Sequence, residues 1–212
     1  DSARPSRAAR RHRRRQPIMR RSSALALAAL TLVLVTVLAA PRTGRAALQY
    51  GTTPGDPTLR QLTAQRLQRL DGAREKPKAY SPERMIITSG SQQLLYMITE
   101  ALCDAGDIVL VEDPTYFVYL GILQSHGIRA AGVRLERDGL ELAHLKTVLE
   151  QLKRGGGLRR VKMLYLVSYY QNPTGVTMSF AKKRAALALL KKYERAAGHP
   201  SYLVEDTATR EL

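Results

Sequence analysis

Polar residues able to do chemistry recur in this sequence just after short apolar runs. Asn172 follows residues 161–167 in the loop Ser168-Tyr169-Tyr170-Gln171-Asn172-Pro173-Thr174-Gly175. Its side-chain amide offers both a donor and an acceptor, and Pro173 fixes the backbone beside it. Ser89-Gly90-Ser91 lies between residues 84–88 and a helical pattern. Such a loop exposes backbone N–H groups at the positive end of a helix, where an anion such as phosphate can sit. Asp206 follows the apolar run 202–204, and because a carboxylate left unpaired beside an apolar strand is unfavourable, it suggests a cationic partner. Tyr116 stands in Glu112-Asp113-Pro114-Thr115-Tyr116, after the run 108–111. Ordinary alternatives exist for each: a strand-to-helix turn at Gly90 or Asn172, a solvated loop residue or helix cap at Asp206.

The elements that must position these residues alternate in type. Residues 84–88, 108–111, 129–135, 161–167 and 202–204 read as strands, nearly all of them apolar. Between them run helical patterns. One starts at Asp56-Pro57, a good cap and first residue, and carries Leu59, Leu62, Ala64, Leu67 and Leu70 on one side. Another starts at Ser91 with Leu94, Leu95, Ile98 and Leu102, and further helices are expected up to about 125, over 142–153 and over 179–197. Residues 154–157 read as a flexible link. This order predicts an α/β fold, a three-layer sandwich with a mostly parallel sheet covered on both faces. In that architecture the C-terminal strand ends share one crevice, which gathers Gly90, Ser91, Tyr116, Asn172 and Asp206. There is no internal repeat, G-x-G-x-x-G, Walker loop or G-x-S-x-G.

The net charge of +16 suggests nucleic acid or a membrane surface until its distribution is read. Residues 1–21 hold nine arginines against one acid, and the remainder carries 25 basic and 17 acidic residues. Half the excess therefore belongs to a short leader, and no nucleic-acid partner is expected of the rest. Residues 24–40 are apolar apart from Thr31 and Thr36. As a helix they would span about 26 Å, short of the roughly 30 Å hydrocarbon core. With the arginines ahead and small residues near Ala39-Ala40 and Gly44-Arg45-Ala46, residues 1–46 look like a secretory signal or an anchor. The competing reading is a leader foreign to the domain, such as a misplaced start or a frame error in a GC-rich gene produces. The single cysteine, Cys103, excludes an intrachain disulfide and a cysteine metal cluster, and it reads as a buried, inert thiol. The four histidines lack ligand spacing, so no metal site is assigned.

Five motifs then stand in order: Leu48-Gln49-Tyr50-Gly51, Thr88-Ser89-Gly90-Ser91-Gln92-Gln93, Glu112-Asp113-Pro114-Thr115-Tyr116, Gln171-Asn172-Pro173-Thr174-Gly175 and Val204-Glu205-Asp206. Together they resemble the pyridoxal-phosphate-dependent aminotransferases of class I/II, more narrowly the branch containing 2-aminoadipate and kynurenine aminotransferases. The resemblance covers about residues 47–212 and implies part of the large domain of a fold type I enzyme. It implies that Gly90, Ser91 and Gln92 hold the cofactor phosphate and that Tyr116 stacks on the pyridine ring. Asn172 would bond the ring's 3-oxygen, often beside a cis peptide before the equivalent of Pro173. Asp206 would pair with the protonated ring nitrogen, and Tyr50 would reach the phosphate of a neighbouring subunit in a homodimer.

Three departures qualify the resemblance. The lysine that bonds this cofactor covalently in the family lies beyond the aspartate strand, past Leu212. No catalytic residue is therefore assigned, and Lys182 and Lys183 read as the solvated face of a helix. The family's tyrosine three residues after the aspartate is Thr209 here. The segment that normally covers the site is replaced by the Arg-rich leader.

The implied activity is amino transfer between an amino acid and a 2-oxo acid with pyridoxal 5'-phosphate, in the cytoplasm, with the 212-residue chain inactive on its own. Membrane contact or export would follow only if residues 24–40 are genuine. The alternative is an aminotransferase-like ligand-sensing domain of a winged-helix transcription regulator, which would need a helix-turn-helix ahead of Leu48.

Overall fold

A computed structural model describes residues 28–36, 39, 44, 49–73 and 78–211. Most of the leader, including residues 24–27, 37, 38 and 40, lies outside the described residues. The chain divides into two compact units, residues 1–87 and 88–212.

In the first unit, residues 28–36 are helical and exposed. No helix among the described residues is long and apolar enough to cross a membrane. Helix α1 (Pro57–Leu70) starts where Asp56 accepts the Leu59 N–H at 2.8 Å, with proline in its first turn. Gly55 precedes it at φ 94°, and a Cβ there would lie 2.7 Å from the Ile87 side chain, so both conformation and space require glycine. Residues 84–88 do not form the expected strand. Pro82–Arg84 is a 3-10 turn, and the residues after it run extended without a ladder. The Ile87 N–H donates to the Pro54 carbonyl at 3.0 Å, and Arg60 donates to the Pro82 carbonyl at 2.9 Å. These bonds tie the segment to α1 and to the loop before it.

The second unit is a five-stranded sheet in the order β3-β2-β1-β4-β5. Its strands are β1 (Ile108–Asp113), β2 (Arg129–Glu136), β3 (Gly139–Leu140), β4 (Val161–Val167) and β5 (Tyr202–Asp206). The β1–β2, β1–β4 and β4–β5 pairs are parallel, and the short β2–β3 pair is antiparallel. The two central strands, β1 and β4, are buried along nearly their whole length, which is why they read as unbroken apolar runs rather than alternating ones.

Helices α2 (Ser91–Leu102) and α3 (Phe117–Ser125) cover one face, and α4 (Leu142–Arg154) and α5 (Phe180–Ala197) cover the other. The α4/α5 face buries Leu145, Leu149, Ala186 and Leu190 against Leu110, Val133, Leu164 and Leu166. The α2/α3 face buries Leu95, Tyr119 and Leu123 against Val109, Val111, Met163 and Tyr165. Each fully buried leucine contributes about 1.5–3 kcal/mol of transfer free energy. Three layers with a mostly parallel sheet are the architecture expected from the alternation of elements. Because β1, β4 and β5 run parallel, the loops after Asp113, Val167 and Asp206 leave from the same end of the sheet.

Candidate functional site

Gly90 caps α2 at φ 93° with no side-chain hydrogen bond over the helix end. The first N–H groups of a helix have no intrahelical partner, and here no capping side chain takes them, so the α2 end stays open to an anion. The loop is held from its own side: the Ser89 N–H donates to Gln93 at 2.6 Å and the Thr88 hydroxyl to the Gly90 carbonyl at 3.0 Å. Gln92 reaches from the first turn of α2 to donate to the Tyr116 hydroxyl at 2.8 Å. Tyr116, half-buried at the start of α3, is thereby fixed to the same helix end that carries Gly90 and Ser91.

Asp206 is the last residue of β5 and is half-buried. Tyr165 on β4 pairs in register with Val204, two residues before Asp206 on the same face of the strand. Its hydroxyl donates to Asp206 Oδ2 at 3.0 Å, while the Ala208 N–H donates to Oδ1 at 3.0 Å. A cavity of about 310 Å³ opens beside this carboxylate, lined by Ser91, Leu94, Ile98, Val204, Asp206 and Thr207 among others. That size falls at the lower end of the range of small-ligand sites, roughly 300–1,000 Å³. The structure thus brings Ser91 and Asp206 into one cavity, with Gly90 and Gln92 on either side of Ser91.

Asn172 is exposed in the loop after β4 and joins Pro173 through a cis peptide, as does Asp113 with Pro114. Asn172 leaves from the same sheet end as Asp206 but is not among the residues that line the cavity. Tyr50 is exposed in the first unit. Thr209 donates its hydroxyl to the Tyr169 carbonyl, joining the loops after β4 and β5.

Lys182 and Lys183 correct the sequence reading. They are half-buried and paired, not a solvated face. Lys182 bonds to Glu136 and, at 2.6 Å, to Asp138. Lys183 bonds to Glu205 at 2.5 Å and stands 4.2 Å over the Tyr169 ring. The Tyr169 ring in the loop after β4 stands under Lys183, and carboxylates at the end of β2, in the β2–β3 turn and on β5 lie within reach of the first turn of α5. Cys103 ends α2 half-buried, and burial, with Asp107 nearby, pushes its thiol up to about 11, in keeping with an inert role.

Two residues that sequence reasoning left without a role hold the site end together. Glu112 is buried, and its Oε2 accepts the Val167 N–H at 3.0 Å and the Gln171 amide at 3.3 Å. Gln171, also buried, donates to the Pro114 carbonyl at 2.7 Å and accepts from the Thr174 N–H and hydroxyl at 2.9 and 2.6 Å. The pair stitches the β1 loop to the Asn172 loop. Burial pushes Glu112 up to about 7 against the hydrogen bonds from Val167 and Gln171, and Asp206 adds to the rise. The signal in the sequence was a carboxylate directly continuing an apolar run.

An anion-accepting helix end and a carboxylate held by two donors, facing one mostly apolar cavity, fit a flat ligand with a phosphate at one edge and a protonated nitrogen at the other. Pyridoxal phosphate is such a ligand. Residues 24–196 match the family described as aminotransferase class I and II. The chain is 33% identical to aromatic-amino-acid aminotransferase 1 of Thermococcus litoralis over 78% of this chain and 37% of that protein. It resembles the solved α-aminoadipate aminotransferase of Thermus thermophilus, bound to N-(5'-phosphopyridoxyl)-L-leucine, with TM-score 0.62 and 30% identity over 84% of this chain and 40% of the other. It is also 31% identical to the uncharacterised HTH-type transcriptional regulator YdcR of Escherichia coli, over 75% of this chain and 30% of that protein. The chain therefore spans roughly a third of the length of the curated relatives it matches. With the family match running over most of its length, the chain belongs to the class I and II aminotransferases, a pyridoxal-phosphate-dependent family.

Proposed function

We propose that this chain is the cofactor-holding part of an enzyme that moves an amino group from an amino acid to a 2-oxo acid, with pyridoxal phosphate held at the C-terminal end of the sheet. The observation that carries this reading is the shared cavity of Ser91 and Asp206. When bound, the cofactor supplies an electron sink for the charge left as an amino acid loses its α-proton. The chain's own residues do the holding. The open N–H groups at Gly90, Ser91 and Gln92 take the phosphate, and the Asp206 carboxylate keeps a proton on the ring nitrogen by charge. Tyr116 offers the ring a flat face, steadied by Gln92, and Asn172 takes the 3-oxygen. Leu94 and Ile98 line the cavity beside Asp206, and an apolar wall there would strengthen that pairing. In a homodimer, Tyr50 would serve the phosphate of the second copy.

Aromatic amino acids and 2-aminoadipate are the first donors to try, following the relatives. Calorimetry with pyridoxamine phosphate tests the site without needing a covalent bond to the protein. Asp206→Ala should weaken its binding on the order of a hundredfold, as truncating one partner of a hydrogen-bonded charge pair does. Binding unchanged in Asp206→Ala would sink the assignment. Appearance of 2-oxo acid from the amino donor then tests turnover in a protein that also carries the family's cofactor-bonding lysine; the 212-residue chain by itself should show none. The similarity to YdcR favours one second reading, the ligand-sensing domain of a regulator. That reading shares the cofactor site and differs in showing no turnover even when that lysine is supplied.

A further inference from the structure

Tyr165 is fully buried in the middle of the sheet, although it carries a hydroxyl. A buried hydroxyl needs a partner, and its partner is Asp206 Oδ2 at 3.0 Å. Behind it, the Tyr165 ring lies 4.2 Å from that of Tyr119, also fully buried. The Tyr119 hydroxyl in turn meets Thr99 of α2 at 3.1 Å. The chain of side chains Thr99, Tyr119, Tyr165, Asp206 therefore runs from α2 through α3 and β4 to the end of β5. Tyr165 cannot swing away, because its ring is walled by Tyr119 and by the strands on both sides.

Burial, then the neighbouring Asp206, raises the Tyr165 phenol well above the usual tyrosine range, with smaller contributions from Glu112 and Tyr119. The hydroxyl thus stays protonated and can only donate to the carboxylate. With Oδ2 held by Tyr165 and Oδ1 by the Ala208 N–H, rotation of the carboxyl group would break both bonds. An ionised carboxylate has about four acceptor sites. Two are committed to the protein, and the carboxylate is left with acceptor capacity for a cationic N–H in the cavity.

We propose that Tyr165 is a positioning residue that fixes the plane of the Asp206 carboxylate and shares its charge, so that Asp206 meets a protonated ring nitrogen in one orientation. The proposal rests on the reading of Asp206 as the ring-nitrogen partner. Tyr165 is not among the residues that line the cavity. Its role is separate from packing, since phenylalanine would fill the same volume against Tyr119.

A double-mutant cycle on the full chain, read by pyridoxamine phosphate calorimetry, tests it. Tyr165→Phe should weaken binding about tenfold, in line with a lost hydrogen bond to a charged group. In the Asp206→Ala background the same change should do nothing further, because the residue acts through that carboxylate. Equal losses in both backgrounds would mean a general structural role and would overturn the proposal, as would unchanged binding in Tyr165→Phe. Should Tyr165→Phe not fold, ¹³Cζ-labelled tyrosine in the cofactor-free chain gives a second readout. The Tyr165 resonance should move in Asp206→Ala, and a resonance that stays put removes the hydrogen bond and the proposal. Should Asp206→Ala bind pyridoxamine phosphate like the wild type while the resonance moves, the ring-nitrogen reading has failed. The proposal would then fall with that reading and not on its own geometry.

Discussion

The two faces of the sheet are built differently. Among the described residues the α4/α5 core is almost wholly aliphatic, and its tyrosine, Tyr193, donates to Glu150. The α2/α3 face buries hydroxyls in its middle: Thr99, Tyr119 and Tyr165 lie at full burial, and their line ends on the Asp206 carboxylate. An aliphatic layer gains stability from area and close packing and is indifferent to direction. Buried hydroxyls gain little net energy, because they exchange water partners for protein partners, but they have directions. The comparison suggests that one face holds the fold together and the other aims a carboxylate.

The largest expected effect breaks the first half of that comparison. Leu149 on α4 is fully buried in the aliphatic layer. Leu149→Ala should cost about 2–5 kcal/mol in denaturant unfolding, from lost transfer energy and the cavity left behind. Pyridoxamine phosphate affinity, corrected for the folded fraction, should not change. An affinity loss of the size expected for Tyr165→Phe would show that the faces are not separable.

A somewhat smaller effect sharpens the second half, through pH. Glu112 sits at the site end of β1 with its carboxyl raised from 4.5 to about 7 by burial. A carboxyl raised on folding binds its proton more tightly in the folded state. Its contribution is therefore full below pH 4.5 and is lost as pH climbs through 7. The loss is about 3 kcal/mol at most, from 1.36 kcal/mol per pH unit. Glu112→Gln keeps an acceptor for the Val167 N–H and has nothing to titrate. The difference between wild-type and Glu112→Gln unfolding free energies should therefore change across that window. Identical pH profiles would place Glu112 in a wetter setting than its burial implies.

Much of this was legible in the sequence, and the misses have physical causes. Strands β1 and β4 were plain because central parallel strands are apolar on both faces, and the α5 start was plain from Ser179. Residues 84–88 carry the same apolar signal, yet Ile87 spends its N–H on Pro54. Periodicity reports burial and does not report which neighbour takes the hydrogen bond. Asp206 was expected at a strand end, and β5 does end there; Ser91 lines the same cavity although residues 84–88 before it form no strand. Tyr165 and Glu112 were not legible, since a tyrosine or a glutamate within an apolar run looks like a continuation of it. Their partners, Asp206 and Gln171, lie 41 and 59 residues away, a distance only the fold closes.

The smallest expected effect sits where the two faces come nearest to sharing residues, at the first turn of α5. Ser179 accepts the Lys182 N–H at 3.3 Å, a long capping bond. Lys182 and Lys183 put positive charge at the helix N-terminus, where it opposes the helix dipole. Their bonds to Asp138 and Glu205 offset that opposition. Ser179→Ala should therefore cost about 0.5–1 kcal/mol, the low end for a lost cap. Ser179→Asp should recover the loss, since a carboxylate both caps and complements the dipole. Thermal unfolding of the two variants checks the order. The informative measurement is again cofactor affinity. Lys183 reaches from this turn to Glu205, one residue before Asp206, and to the ring of Tyr169 in the Asn172 loop. If the carboxylate is aimed from the α2/α3 face alone, fraying this turn leaves pyridoxamine phosphate binding untouched. If Ser179→Ala weakens binding while Ser179→Asp restores it, the aliphatic face also steers the site, through Lys183 and Glu205, and the division of labour between the faces is narrower than their cores suggest.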